Sequence, residues 1–221
     1  MNLLNLIDGS SALIVFGGTA LATVLRSGLS DCRETLRKLY QLSSAPFDPE
    51  RARSELAQQI QGIQRDGLLR AQPHHFGDSE FDEATDALIT RRSVPALLAA
   101  HEAHKARRVS DSYRAVRTLA QAAELSPVFG LAGTLISLSQ LPAAGAANGS
   151  FTAAISMAVV TTLYGLLGAN LLLAPLARSI ERKAQTEETQ RQQVIDWIAR
   201  QVTAATEPRR ERAAAMPNRA Q

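Results

Sequence analysis

Thr134, Thr161 and Thr162 place hydroxyl groups in sequence that is mostly aliphatic, aromatic or small. From Leu125 to Ala177 there is no Asp, Glu, Lys, Arg or His. Polar groups at membrane depth tend to face a bundle interior or a wet cavity. There a hydroxyl can donate to an ionised group or accept from a neutral one. Each threonine can equally bond back to its own helix. Three in two neighbouring segments describe a hydroxyl-lined surface that awaits a charge from elsewhere. Pro127 and Pro175 stand near the two ends of the uncharged stretch, and Glu124 immediately precedes it. A proline removes one helical hydrogen bond and can kink the helix, so the two could give paired bends; prolines near span ends are also simply common.

These residues need helices that cross a bilayer. A membrane helix takes about 20 mostly apolar residues, so the stretch from Leu125 holds two spans and a short turn. A second uncharged run, GSSALIVFGGTALATVL (9–25), makes a third span, extended upstream by Leu3, Leu4, Leu6 and Ile7. Residues 1–8 lack the basic start of a cleaved signal peptide, so this span is expected to be retained. Gly130 with Gly133, and Gly165 with Gly168, are pairs about one turn apart that let helices approach closely. The expected fold is an all-α integral membrane protein with three transmembrane helices, long cytoplasmic helical extensions and no strands.

The formal charge of +3 matters less than its distribution. All 24 Lys and Arg lie in residues 26–123 or from 178 onward, and loops rich in these residues stay in the cytoplasm. The expected organisation is therefore a first span at 1–27 with its N-terminus outside and a cytoplasmic helical domain at 28–123. A second span at 124–141, a periplasmic turn at 142–150 and a third span at 151–177 follow. A cytoplasmic helix at 178–205 and a disordered tail at 206–221 complete the chain. The basic balance needs no nucleic acid. Cys32, the single cysteine, implies no disulfide framework.

Within the cytoplasmic part, Leu36, Leu39 and Leu42 mark an amphipathic helix, and Leu56, Ile60, Ile63 and Leu68 another that Asp48 can cap near Pro49. A loop is expected at 73–80, a short helix at 81–92, and a start near Ser93 and Pro95. His101 and His104 are spaced as metal ligands can be, and His74-His75 lie near Asp78, but solvated histidines are the better reading and no metal is expected. Arg91-Arg92, Arg107-Arg108 and Arg209-Arg210 read as solvated faces or lipid-headgroup contacts. Trp197 reads as a packing residue between subunits. No phosphate-binding loop and no nucleophile–base set is visible, which argues against an enzyme.

SPVFGLAGTLISL (126–138) with AISMAVVTTLYGLLGANLLLAPLARSIERK (154–183) resembles the last two spans of the MotA/TolQ/ExbB proton-channel family. DGSSALIVFGGTALATVLR (8–26) resembles the S-x-x-x-V-x-G-G-T span of the MotA branch, and RDGLLRAQ and DEATDALITRRSVPALLAAHEAH resemble its cytoplasmic helices. The resemblance implies a motor or energising subunit, a homo-oligomer of five copies around two single-span partners of the MotB/TolR/ExbD type. The partner carries the intramembrane Asp that binds and releases the ion. Thr134 and Thr162 would then line the ion path, with Thr161 as the alternative to Thr162. Pro127, Pro175 and Glu124 would form the bends and gate at the cytoplasmic exit. No cofactor is implied; the transported ion would be H⁺, with Na⁺ second. Flagellar relatives have a further span, and their rotor-contacting Arg and Glu fall at Gln64 and Gln72 here, beside Arg65 and Arg70. Both differences weigh against a flagellar rotor contact. The competing reading is a non-conducting membrane scaffold that docks cytoplasmic proteins through residues 28–123.

Overall fold

The computed structural model describes residues 9–66, 78–139 and 148–214, and every regular element among them is helical. α1 (Gly9–Ser27) contains a π-helical turn at Leu13–Gly17. α2 (Leu29–Leu42), α3 (Pro49–Asp66) and α4 (Ser79–Arg91) are followed by the long α5 (Val94–Ser139). α6 (Asn148–Leu167) passes through a π-helical stretch, Gly168–Leu173, into α7 (Ala174–Ala214). Three helical stretches, Gly9–Ser27, Val94–Ser139 and Phe151–Ala204, are long and apolar enough to cross a membrane.

Local chemistry accounts for the boundaries. Gly28 takes φ +84° between α1 and α2, a conformation that favours glycine. Asp48 Oδ1 accepts from the backbone N–H groups of Glu50 and Arg51 and caps α3. Asp78 caps α4 through the Glu80 N–H, and Ser93 Oγ accepts from the Ala96 N–H at the start of α5. Three boundaries differ from expectation, the first being α4, which starts at Ser79, two residues ahead of the helix expected at 81–92. The turn expected through residue 150 ends earlier, because α6 already starts at Asn148 in an Asn-Gly-Ser stretch of residues favoured at helix starts. The tail expected to be disordered from 206 is helical to Ala214, where Glu, Arg and Ala are strong helix formers.

The chain divides into two compact units: residues 1–44 with 110–183, and residues 45–109 with 184–221. The first holds the apolar spans. Below them, Leu39 and Leu42 pack against buried Ala115, Leu119, Ala177 and Ile180, and the Arg114 guanidinium binds Asp31 at 2.5 and 3.0 Å. That hydrogen bond, foremost, holds the Asp31 carboxyl below its ordinary value.

The second unit has its own core, in which Leu56, Ile60, Phe81, Leu88, Leu97, Val194, Ile195, Ile198 and Val202 are buried. Trp197 is half-buried and packs one side against this core of its own chain. Arg108 pairs with Glu80 and Glu188 with its side chain only 17% exposed, so it is not the solvated arginine expected. The two histidines diverge. His104 meets Glu83 at 2.9 Å, whereas His101 is buried with Nε2 3.2 Å from Gln192 Oε1 and 3.7 Å from Glu188 Oε1. No metal-ligating group forms among the described residues.

Burial, the largest influence, pushes the His101 imidazole below its ordinary value against the opposing pull of Glu188. The folded protein therefore binds fewer protons than the unfolded chain between that lowered value and about 6.5. Stability from neutral His101 is present above about pH 6.5 and is lost as pH falls toward the folded value. Thermal unfolding of the wild type should show this acid-side loss, and His101→Gln should flatten it.

Candidate ion path

The S-x-x-x-V-x-x-x-T spacing of α1 is the buried side of a helix. Ser11, Val15, Thr19 and Thr23 recur every four residues, and all four are buried. Gly18 lies where the Phe129 ring of α5 crosses, and a Cβ there would overlap that ring. Phe16 rests by Tyr164 of α6, with ring centroids 6.1 Å apart.

Glycines bring α5 and α6 to backbone contact. A Cβ on Gly165 would stand 2.8 Å from the Ser126 carbonyl oxygen and 3.1 Å from the Cα atoms of Gly130 and Pro127. On Gly130 it would stand 3.0 Å from the Thr161 carbonyl oxygen, and on Gly133 2.8 Å from the Thr161 Cβ. Gly168 is closed off by Ser126 Oγ at 2.9 Å and the Phe16 ring at 3.1 Å. The buried Ser126 hydroxyl donates to the Gly165 carbonyl at 3.0 Å, a crosslink that the sequence reading missed. Its signal was there: a small polar residue just before the proline of a glycine-rich span.

This packing sorts the threonines. Thr161 is fully buried against Gly133 and donates to the Ala158 carbonyl at 2.9 Å. Its methyl and hydroxyl fill the helix contact, so it opens onto no surface of this chain. Thr162 and Thr134 are only half-buried. Thr162 donates to the Ala158 carbonyl at 3.1 Å and Thr134 to the Leu131 carbonyl at 2.6 Å. Their protons are thus engaged within their own helices, which leaves hydroxyl lone pairs to accept from an incoming donor.

Pro127 lies inside α5 and offers the Ala123 carbonyl no N–H. Pro175 is the second residue of α7, directly after the π-helical stretch. Glu124 is exposed and reaches Arg26 at 4.0 Å, a weak surface pair. The structure brings Pro127 against Gly165. Asn170 is exposed within the apolar third span and was also missed. A lone carboxamide among leucines could have marked it; the π-helical turns leave no such mark. Of the positions compared with a rotor contact, Gln72 and Arg70 lie outside the described residues, as do the Gln64 and Arg65 side chains.

A family model described as the MotA/TolQ/ExbB proton channel family matches residues 74–193. The chain belongs to this family. "Motility protein A" of Cereibacter sphaeroides is 24% identical over 204 residues, covering 87% of this chain and 76% of that protein. Among solved structures, that of C. jejuni MotAB superposes with a TM-score of 0.80 at 17% identity, covering 100% of this chain and 88% of the other. The flagellar MotAB stator complex from Bacillus subtilis gives 0.78 at 20% identity, covering 89% and 79%. At such identities the structural likeness is one of fold. Family and fold together make this a multi-pass helical protein of the inner membrane.

Proposed function

We propose that this chain is the multi-copy subunit of an ion-driven motor, working with a single-span partner of the MotB/TolR/ExbD type that supplies an intramembrane aspartate. One observation carries the reading. Thr134 and Thr162 keep hydroxyl oxygens open beside a glycine-sealed helix pair, while residues 125–177 hold no Asp, Glu, Lys, Arg or His. The charge that cycles must come from another chain. Desolvation in a dry bundle favours the neutral form of such a carboxylate, and a threonine lone pair can accept its proton in a hydrogen bond. Five copies around two partner helices, with protons as the ion, is the assembly we favour, in line with the MotAB complexes of similar fold. Pro127, Pro175 and Glu124 would shape the cytoplasmic exit.

The test is proton flux through vesicles holding the protein and its co-purified partner. Thr162→Val keeps the shape and removes the oxygen; it should reduce flux by about 10- to 100-fold, as expected when a hydrogen bond to a charged or charging group is lost. Assembly should be unchanged. Flux equal to wild type would remove Thr162 from the path, and a wild type that conducts neither H⁺ nor Na⁺ would turn the reading to a scaffold.

In this proposal the N-terminus faces the periplasm and α2 the cytoplasm. Cys32 on α2 is partly buried, and burial followed by Asp31 raises its thiol above the ordinary value. A membrane-impermeant thiol reagent should therefore label it slowly, faster at alkaline pH, and from the cytoplasmic side alone. Labelling from outside reverses the topology.

A further inference from the structure

We infer that Asn170 is a second polar station on the ion path, a water- and proton-accepting site between Thr162 and the cytoplasmic exit; this rests on the conduction reading above. Asn170 is the one carboxamide in residues 151–177, and it is exposed. Thr162, Leu166 and Asn170 follow at four-residue steps and so occupy one side of the span. The Asn170 Nδ2 donates to the Leu166 carbonyl at 3.0 Å, which turns the Oδ1 into the outward acceptor.

The backbone adds a second oxygen. In the π-helical stretch the Ala174 N–H donates five residues back, to the Ala169 carbonyl. The next bond in that register would run from residue 175 to the Asn170 carbonyl, but residue 175 is proline and has no N–H. A carbonyl at membrane depth needs water or protein around it, and an asparagine facing lipid is unfavourable for the same reason. One residue thus offers two acceptor oxygens, one on its side chain and one on its backbone. The π-helical turn and Pro175 together create this pair, and π-turns recur at functional sites. Water held there can take a proton from the level of Thr162 and pass it toward Pro175.

The experiment uses the protein with its co-purified partner in membrane vesicles and has two arms. In a Cys32→Ser background, Asn170→Cys should react with a water-soluble thiol reagent, while Leu172→Cys, turned away around the helix, should not. In the second arm, Asn170→Leu should lower proton flux by about tenfold or more, and Asn170→Ser, which keeps an oxygen, should retain most of it. Partner co-purification and thermal stability show whether each variant is assembled. No labelling at 170, equal labelling at 170 and 172, or normal flux through assembled Asn170→Leu overturns the inference. Absence of flux in the wild type would instead fell the conduction reading, and the labelling contrast would still report whether Asn170 is wet.

Discussion

Gly165→Leu is expected to force the second and third spans apart. Even a Cβ there would lie 2.8 Å from the Ser126 carbonyl oxygen and 3.1 Å from two Cα atoms. These neighbours are backbone, which cannot rotate out of the way as a side chain can. The Ser126 hydroxyl bond to the Gly165 carbonyl would stretch in the same movement, leaving a buried polar pair unsatisfied. Overpacking of a tight contact costs about 1–3 kcal/mol and occasionally more, so thermal unfolding in detergent should fall by roughly 5–10 °C. Gly62 provides the opposite case in the same chain, since nothing lies within 4 Å of its would-be Cβ. Gly62→Ala should stabilise α3 by up to about 1 kcal/mol through helix propensity. Equal behaviour of the two variants would mean that the span contact is not as close as described.

Arg191→Ala should have a comparable effect on the other unit. The guanidinium lies 4.5 Å over the Phe47 ring and 5.4 Å over that of Phe81, and these rings stack on each other. It also binds Asp78 Oδ2 at 2.9 Å and Glu187 Oε1 at 3.0 Å, with Glu80 at 3.5 Å. Its side chain is 12% exposed while those carboxylates are about a third exposed, so solvent screens part of the effect. Removal leaves Asp78 and Glu187 without this cation and Glu80 with Arg108 alone, and about 3 kcal/mol of stability should go with it. Arg191→Lys keeps the charge but loses the planar fork and the stacking, so it should fall between. Limited proteolysis of residues 45–109 reads the result; wild-type resistance in Arg191→Ala would make the network a solvated decoration.

Much of this was legible in the linear pattern. Charge-free runs marked the spans because the bilayer core excludes charge, and Asp48 and Ser93 marked helix starts because their side chains cap orphan N–H groups. Thr161 and Thr162 were not separable, because neighbours in sequence differ by only about 100° around a helix and either could face outward. Arg108 misled for a related reason: its partners, Glu80 and Glu188, are distant from it in sequence.

By itself the sequence determined that the protein is helical, that it crosses a membrane, and that residues 125–177 hold no Asp, Glu, Lys, Arg or His. These follow from composition and local spacing, which act through the solvent and the backbone alone. Tertiary structure decided which hydroxyls remain open, where backbone meets backbone at Gly130, Gly133 and Gly165, and that a π-turn ahead of Pro175 sets Asn170 on the exposed side of the third span. Those outcomes depend on close packing between segments remote in sequence. A single Cβ at a contact of 3 Å changes which surface each helix can bury.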